Sequence, residues 1–412
     1  MEGLILLLGE ALFAFLAPLF GLATGVMSAV VSAVAEIALR LVPAMPSPRL
    51  AVPRKWVRRL SLATLAVGAL LLIGLVLLET VFFRSAVQAA VDRIATRSGI
   101  RITYEKASGF LLGARVRLDG VTARRSGHDG GDFDLRIETL EVDARLWSLL
   151  RKEASFEFFR LKRVRGRYDR VAGVERGPRK PFAADAMEIA DAEITWVLKR
   201  PDRPDFALPL RIDRLQSAPF DARNAAFSLL FRTTAFGAIA GAPFEIRSEG
   251  TGDGRKTAWR AQAVPVRLMA DFLGEPFDWL SGGTADVHVD DEWRRGDRTF
   301  VDLHWRIVFK NLTAEVPPRI SGFKRRVAEG VVGFVQRHPA ELPLDFTLRL
   351  DEEGFRGRMS VETLGLWHAV ARAAAEELAE RAGLPPDVVR EYARDGWGTF
   401  KEFLKKRAAQ PR

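Results

Sequence analysis

The chain has 412 residues, 48% hydrophobic and 28% charged, with a formal net charge of +10 and no cysteine. That length suffices for two or three domains or one elongated one. The missing cysteines exclude disulfides, thiol catalysis and cysteine-ligated zinc, but leave an oxidising compartment open because a large core needs no covalent staple.

The chain opens on an apolar stretch, residues 1–42, interrupted by Glu10, Pro18, Glu36 and Arg40. At 1.5 Å per residue it measures about 60 Å as a helix, too long for one upright pass. It is expected either as a hairpin turning at Pro18 to Gly21 or as one span preceded by an interfacial piece. Gly21, Gly25, Ala29 and Ala33 recur four apart, a spacing that lets helix backbones approach closely. Residues 43–60 form a basic linker with Arg49, Arg54, Lys55, Arg58 and Arg59. SLATLAVGALLLIGLVLL (61–78) then runs without a charge, and Val81, Phe82 and Phe83 extend it. A span needs about 20 apolar residues, so 61–83 reads as a transmembrane helix. The apolar part of a cleaved signal would be shorter and nearer the start. Positive charge ahead of the span is retained in the cytoplasm, which sends everything after residue 84 to the far side, the periplasm of a Gram-negative cell.

Residues 84–97 follow as a short amphipathic helix with Val87, Val91 and Ile94 on one side, ended by Gly99. Strand-like runs come next, at 101–106, 115–124, 133–144, 156–168, 192–199, 207–215, 226–234, 243–249, 257–266, 284–293, 300–312, 342–350 and 355–364. Turn signals such as Asp119-Gly120, Gly250 to Gly254 and Gly282-Gly283 separate them. FVDLHWRIVFKNL (300–312) shows the pattern most clearly. Val301, Leu303, Trp305, Ile307 and Phe309 alternate with polar residues, giving one oily and one wet face. Short helices interrupt at 265–280 and 323–337. The region 84–364 is therefore one mainly β domain, expected as an elongated, curled antiparallel sheet. The helical region 365–412 closes the chain with predicted helices at 366–382 and 387–407.

The order of these features resembles the AsmA-like family of bacterial envelope proteins (the AsmA, TamB and YhdP type, relatives of bridge-like lipid transfer proteins). The likeness rests on Leu118, Gly120 and Val121 in an L-x-G-V strand. It rests also on Ile137, Leu140 and Val142 in the next strand, Leu149 and Leu150 after it, and Gly166 closing a strand pair. It covers about residues 60–364. The resemblance implies an apolar β-groove that accommodates phospholipid between inner and outer membrane, with no cofactor. This chain is shorter than the large members and carries the extra segment 1–42.

No catalytic constellation is readable. Asp286, His288, Asp290 and Glu292 share a strand face in DVHVDDE (286–292), a set that can hold a divalent ion but is more often simply solvated. GTGDGR (250–255) has strands on both sides and no following helix, so it is expected as a hairpin turn and not as a phosphate cradle. The chain also lacks a G-x-S-x-G elbow and an H-E-x-x-H helix. It is expected not to be an enzyme, to bind no metal and, without a basic aromatic groove, no nucleic acid.

A sheet that hides one face must cover it with a second sheet, with helices or with something else. With few helices available, the lining expected to meet lipid is Leu135, Ile137, Val142, Leu208, Leu210, Ile212, Leu303, Trp305, Ile307, Phe309, Leu344, Phe346 and Leu348. The alternative is that the same residues close on themselves as the core of a non-enzymatic envelope scaffold. The expected partners are phospholipid, the inner membrane, and other envelope proteins or a second copy continuing the groove.

Overall fold

The computed structural model describes residues 99–351, apart from 111–114, 127–130, 145–153, 172–181, 201–203, 222–224, 252–253, 274–278, 295–299 and parts of 317–339, together with scattered positions at 66–92 and 370–383. The apolar segment 1–42, the basic linker, most of the expected span, the strand expected at 355–364 and the helix expected at 387–407 lie outside the described residues. Ala66, Gly68 and Ala69 of the span are described, and all are helical. Among the described residues no helix is long and apolar enough to cross a membrane.

Among the described residues fourteen strands form one sheet. They are β1 (Arg101–Thr103), β2 (Lys106–Phe110), β3 (Arg115–Arg125), β4 (Asp132–Ala144), β5 (Ala154–Val171), β6 (Phe182–Lys199), β7 (Phe206–Ser217), β8 (Phe220–Asp221), β9 (Thr233–Ile239), β10 (Ala242–Thr251), β11 (Gly254–Pro265), β12 (Leu280–Arg294), β13 (Phe300–Ala314) and β14 (Glu341–Asp351). They follow chain order from β1 to β14 with no pairing between the ends, while β2 pairs β3 and β8 pairs β6 off the main path. At about 4.8 Å per strand the path is roughly 50 Å wide.

Two expectations need correcting. The sheet is mixed, because β5 and β6 run parallel from Ala154↔Phe182 to Val171↔Lys199. The run 226–234 is not one strand, since Ala225–Phe231 is an α-helix and β9 starts at Thr233. A seven-residue run that is apolar but for Ser228 fits a buried helix as well as a strand, and here tertiary packing selects the helix. The GTGDGR segment is a hairpin, with Thr251 paired to Gly254.

A crease crosses the N-terminal half. Gly120, Glu138, Arg163, Asp191 and Asp213 stand at one level on β3 to β7, and each falls out of the regular ladder between paired neighbours. Gly120, Arg163 and Asp191 have positive φ (65°, 50° and 56°). The inward phase of every strand slips by one residue there: Leu118 and Val121, Leu161 and Val164, Ile189 and Ala192, Ile212 and Leu215 are the buried pairs on either side. Because each strand carries the extra residue, pairing survives and the sheet bends. Chain connectivity demands the bend. A straight 18-residue strand spans about 55 Å, whereas the residues joining β5 to β6 reach about 40 Å at full extension.

Helices cover the buried face. α1 (helical positions at 83–92) buries Phe83 together with Val87 and Val91 of the expected amphipathic side, whose Ile94 lies outside the described residues. α2 (Ala225–Phe231), α3 (Val266–Leu273) and α4 (Gly322–Arg337) follow, and α5 (helical positions at 370–381) buries Val370, Ala374 and Leu378 at four-residue spacing. The opposite face is charged. Arg117 Nη1 pairs with Glu141 Oε1 (3.1 Å), Arg160 joins Glu141 (3.2 Å) to Glu188 (2.7 Å), and Asp302 takes Arg349 Nε at 2.7 Å. These cross-strand pairs stiffen the wet face.

Candidate functional site

The register converts the alternating strands into transverse apolar rows. One runs Ala107, Leu118, Leu140, Leu161, Ile189, Leu215, Ala235, Ile246, Trp259, Val289, Trp305, Phe346, each paired with the next across adjoining strands. A second runs Val121, Ile137, Val164, Ala192, Ile212, Gly237, Phe244, Ala261, Val287, Ile307, Leu344. No polar side chain interrupts either row.

All thirteen residues of the expected lining lie on this inward face, and twelve of them are divided between two apolar clusters. Leu135, Ile137, Val142 and Ile212 belong to the first, with Leu210 packed at its margin. Leu303, Trp305, Ile307, Phe309 and Leu344 belong to the second, with Phe346 and Leu348 at its margin. Leu208 is half-buried on β7. The nine inner members are shielded to 4% exposure or less. The half-buried ones sit at β7 and at β14.

The seam between the clusters falls at β10 and β11, where Ile246 is paired with Trp259. Partly exposed apolar side chains mark the margins of the clusters toward it: Trp196, Leu210, Phe244 and Ile246 pack against the first cluster, Trp259 and Met269 against the second. This waist is the candidate site, since half-buried apolar surface is where an apolar ligand gains most. Of these residues the sequence reading singled out only Leu210. PFEIRS (243–248) alternated visibly, but alternation alone does not say which strand lies at a seam.

The waist has a fixed side and a lightly held side. On the fixed side the inward row turns polar, and each of its groups meets the C-terminal carbonyls of α2. Ser217 Oγ and Thr233 Oγ1 donate to Ser228 O (3.3 and 2.9 Å), Ser248 Oγ and Thr257 Oγ1 to Phe231 O (2.7 and 3.3 Å), and Trp259 Nε1 to Leu230 O (2.9 Å). The last carbonyls of a helix have no partner within it, and here the sheet supplies one. On the other side the β9–β10 hairpin ends with the Ala240 N–H donating to Pro209 O (2.8 Å), leaving Phe206 to Leu208 paired, among the described residues, only with β6. The tip of α3 fills that notch. Phe272 lies 5.2 Å from the Phe206 ring and 5.8 Å from Trp196, and Arg200 Nη1 donates to Asp271 O at 2.5 Å.

The acidic and histidine residues at 286–292 are engaged with neighbours on β12 and on the adjoining strands. Lys310 Nζ at 2.7 Å, then the Ala263 N–H, hold the Asp286 carboxyl below its usual range. His288 Nε2 lies 2.7 Å from Asp290 and His304 Nε2 lies 3.5 Å from Glu292. Among the described residues no group of three or more histidine or acidic side chains is placed to hold a metal ion. No family model, curated protein or solved structure matches this chain.

Proposed function

We propose that this is a membrane-anchored, periplasmic, non-enzymatic protein of the AsmA-like type that shields the acyl chains of phospholipid on the inward face of its sheet and supports lipid movement from inner to outer membrane. The observation that carries the reading is the pair of apolar rows, which continue across the whole sheet and through a half-buried waist. A row of that kind serves a chain-like apolar ligand with no preference for position. Each methylene taken from water contributes about 0.8 kcal/mol, so an eight-carbon stretch supplies roughly 6 kcal/mol with no polar pocket. The uncharged run at 61–78 behind a basic linker supports the anchor.

One observation favours a second reading. Nine of the expected lining residues are enclosed in two packed clusters, which suits a scaffold with a closed core. Native mass spectrometry of the full chain released from detergent separates the two. Retained phospholipid that disappears in Ile246→Arg is expected for lipid binding. A bare chain, or adducts indifferent to Ile246→Arg, leaves the scaffold reading.

A further inference from the structure

We propose that Trp196 is the polar anchor of the waist, its indole N–H donating to an ester or carboxyl oxygen at the base of a bound acyl chain beneath the tip of α3. The inference rests on the lipid-binding reading of the same face and adds the atom that orients the ligand.

Trp196 stands on β6 between Tyr168 and Leu208 in the cross-strand register. Its ring is enclosed by Phe206 (6.1 Å, edge-on) and Phe272 (5.8 Å). Its Nε1 is buried and meets no acceptor among the described residues. A buried donor left unmade is costly, so its retention calls for an explanation, and a ligand oxygen supplies one here. On the same face Trp259 shows the ordinary solution, with its Nε1 bonded to Leu230 O at 2.9 Å. The cover over Trp196 is the end of α3, where Phe272 meets its ring and Asp271 O accepts from Arg200.

The chemistry of the seat selects the ligand. A neutral N–H among aromatic rings suits an uncharged or weakly hydrated oxygen carried in with hydrocarbon, whereas a phosphate keeps its water. The ester carbonyl of a glycerolipid and the carboxyl of a free fatty acid share this chemistry. From Trp196 the acyl chain then runs toward Leu210 and Phe244.

The test compares two fluorescent probes on the full chain in amphipol: the methyl ester of cis-parinaric acid, which carries the oxygen, and diphenylhexatriene, which does not. Trp196→Phe keeps the ring and removes the donor. The expected result is about three- to tenfold weaker binding of the ester with hydrocarbon binding unchanged, while Leu210→Ala weakens both. In the native chain the ¹⁵N-indole resonance of Trp196 is expected to move downfield with the ester and not with the hydrocarbon, a readout that needs no variant. Equal loss for both probes in Trp196→Phe, or no loss, or an unmoved resonance under saturating ester, would overturn the anchor while leaving lipid binding in place. Failure of the native chain to bind either probe saturably would overturn the lipid reading itself.

Discussion

Trp305→Asp tests whether the inward face is a packed core before any ligand arrives. Trp305 is 4% exposed, stacked on Phe346 at 6.1 Å and edge-on to Trp259 at 5.9 Å. Removing a tryptophan from such a site costs about 3–5 kcal/mol. A carboxylate left there without a cation adds several more. The sum reaches the 5–15 kcal/mol that holds a typical domain together. Phe346→Asp is the matched control, since its position on β14, the last strand of the described sheet, is half-buried and the carboxylate reaches water. Its expected cost is about 1–3 kcal/mol. Circular dichroism melts with limited proteolysis of the full chain read the difference. Trp305→Asp is expected to lose the β11–β14 region to protease, and Phe346→Asp to keep it with a lowered midpoint. A Trp305→Asp chain that melts within a few degrees of the parent would refute the packed-core description.

Three further outcomes are expected. Gly166→Ala places a Cβ 2.1 Å from Asp134 O at φ +155°, so urea unfolding is expected to show a loss of about 2–4 kcal/mol. Asp286 is held charged by Lys310, so its contribution is present above the ordinary carboxylate pKa near 3.9 and is lost as pH falls through its lower folded value. Asp286→Asn is therefore less stable than the parent at pH 7, with a gap in urea midpoint that closes below about pH 4. A phosphatase that works only outside the cytoplasm is expected to be active when fused after residue 120, and a reporter that works only inside is expected to be silent there.

The strands from 115 to 124, 133 to 144, 300 to 312 and 342 to 350 were legible because one face of each is buried and the other wet, which writes a period of two into the residues. The helices at 266–273 and 322–337 were legible for the corresponding reason at period 3.6. The parallel pairing of β5 and β6 was not, since alternation does not encode the direction of a neighbour. β6 starts at Phe182, ten residues before the predicted 192, because FAADAMEIAD mixes alanine with acid and the crease at Asp191 breaks its phase. The inward orientation of the thirteen lining residues was readable, but their division into two clusters was not. That division depends on where α2 docks, and AAFSLLF does not declare itself a helix. The waist was hidden for a further reason. Ile246 meets Trp259 only through the β10–β11 register, and Trp196 meets Phe272 only through the docking of α3, so no short stretch of sequence contains the waist.

Photocrosslinking in intact cells tests the lipid-binding claim most directly. A benzophenone amino acid at Ile246 faces the waist, whereas the same group one residue on, at Arg247, faces solvent. The expected result is a phospholipid adduct on the full chain at Ile246 and at Phe346, with none at Arg247. Adducts at Arg247 equal to those at Ile246, or none at either inward position, would contradict it.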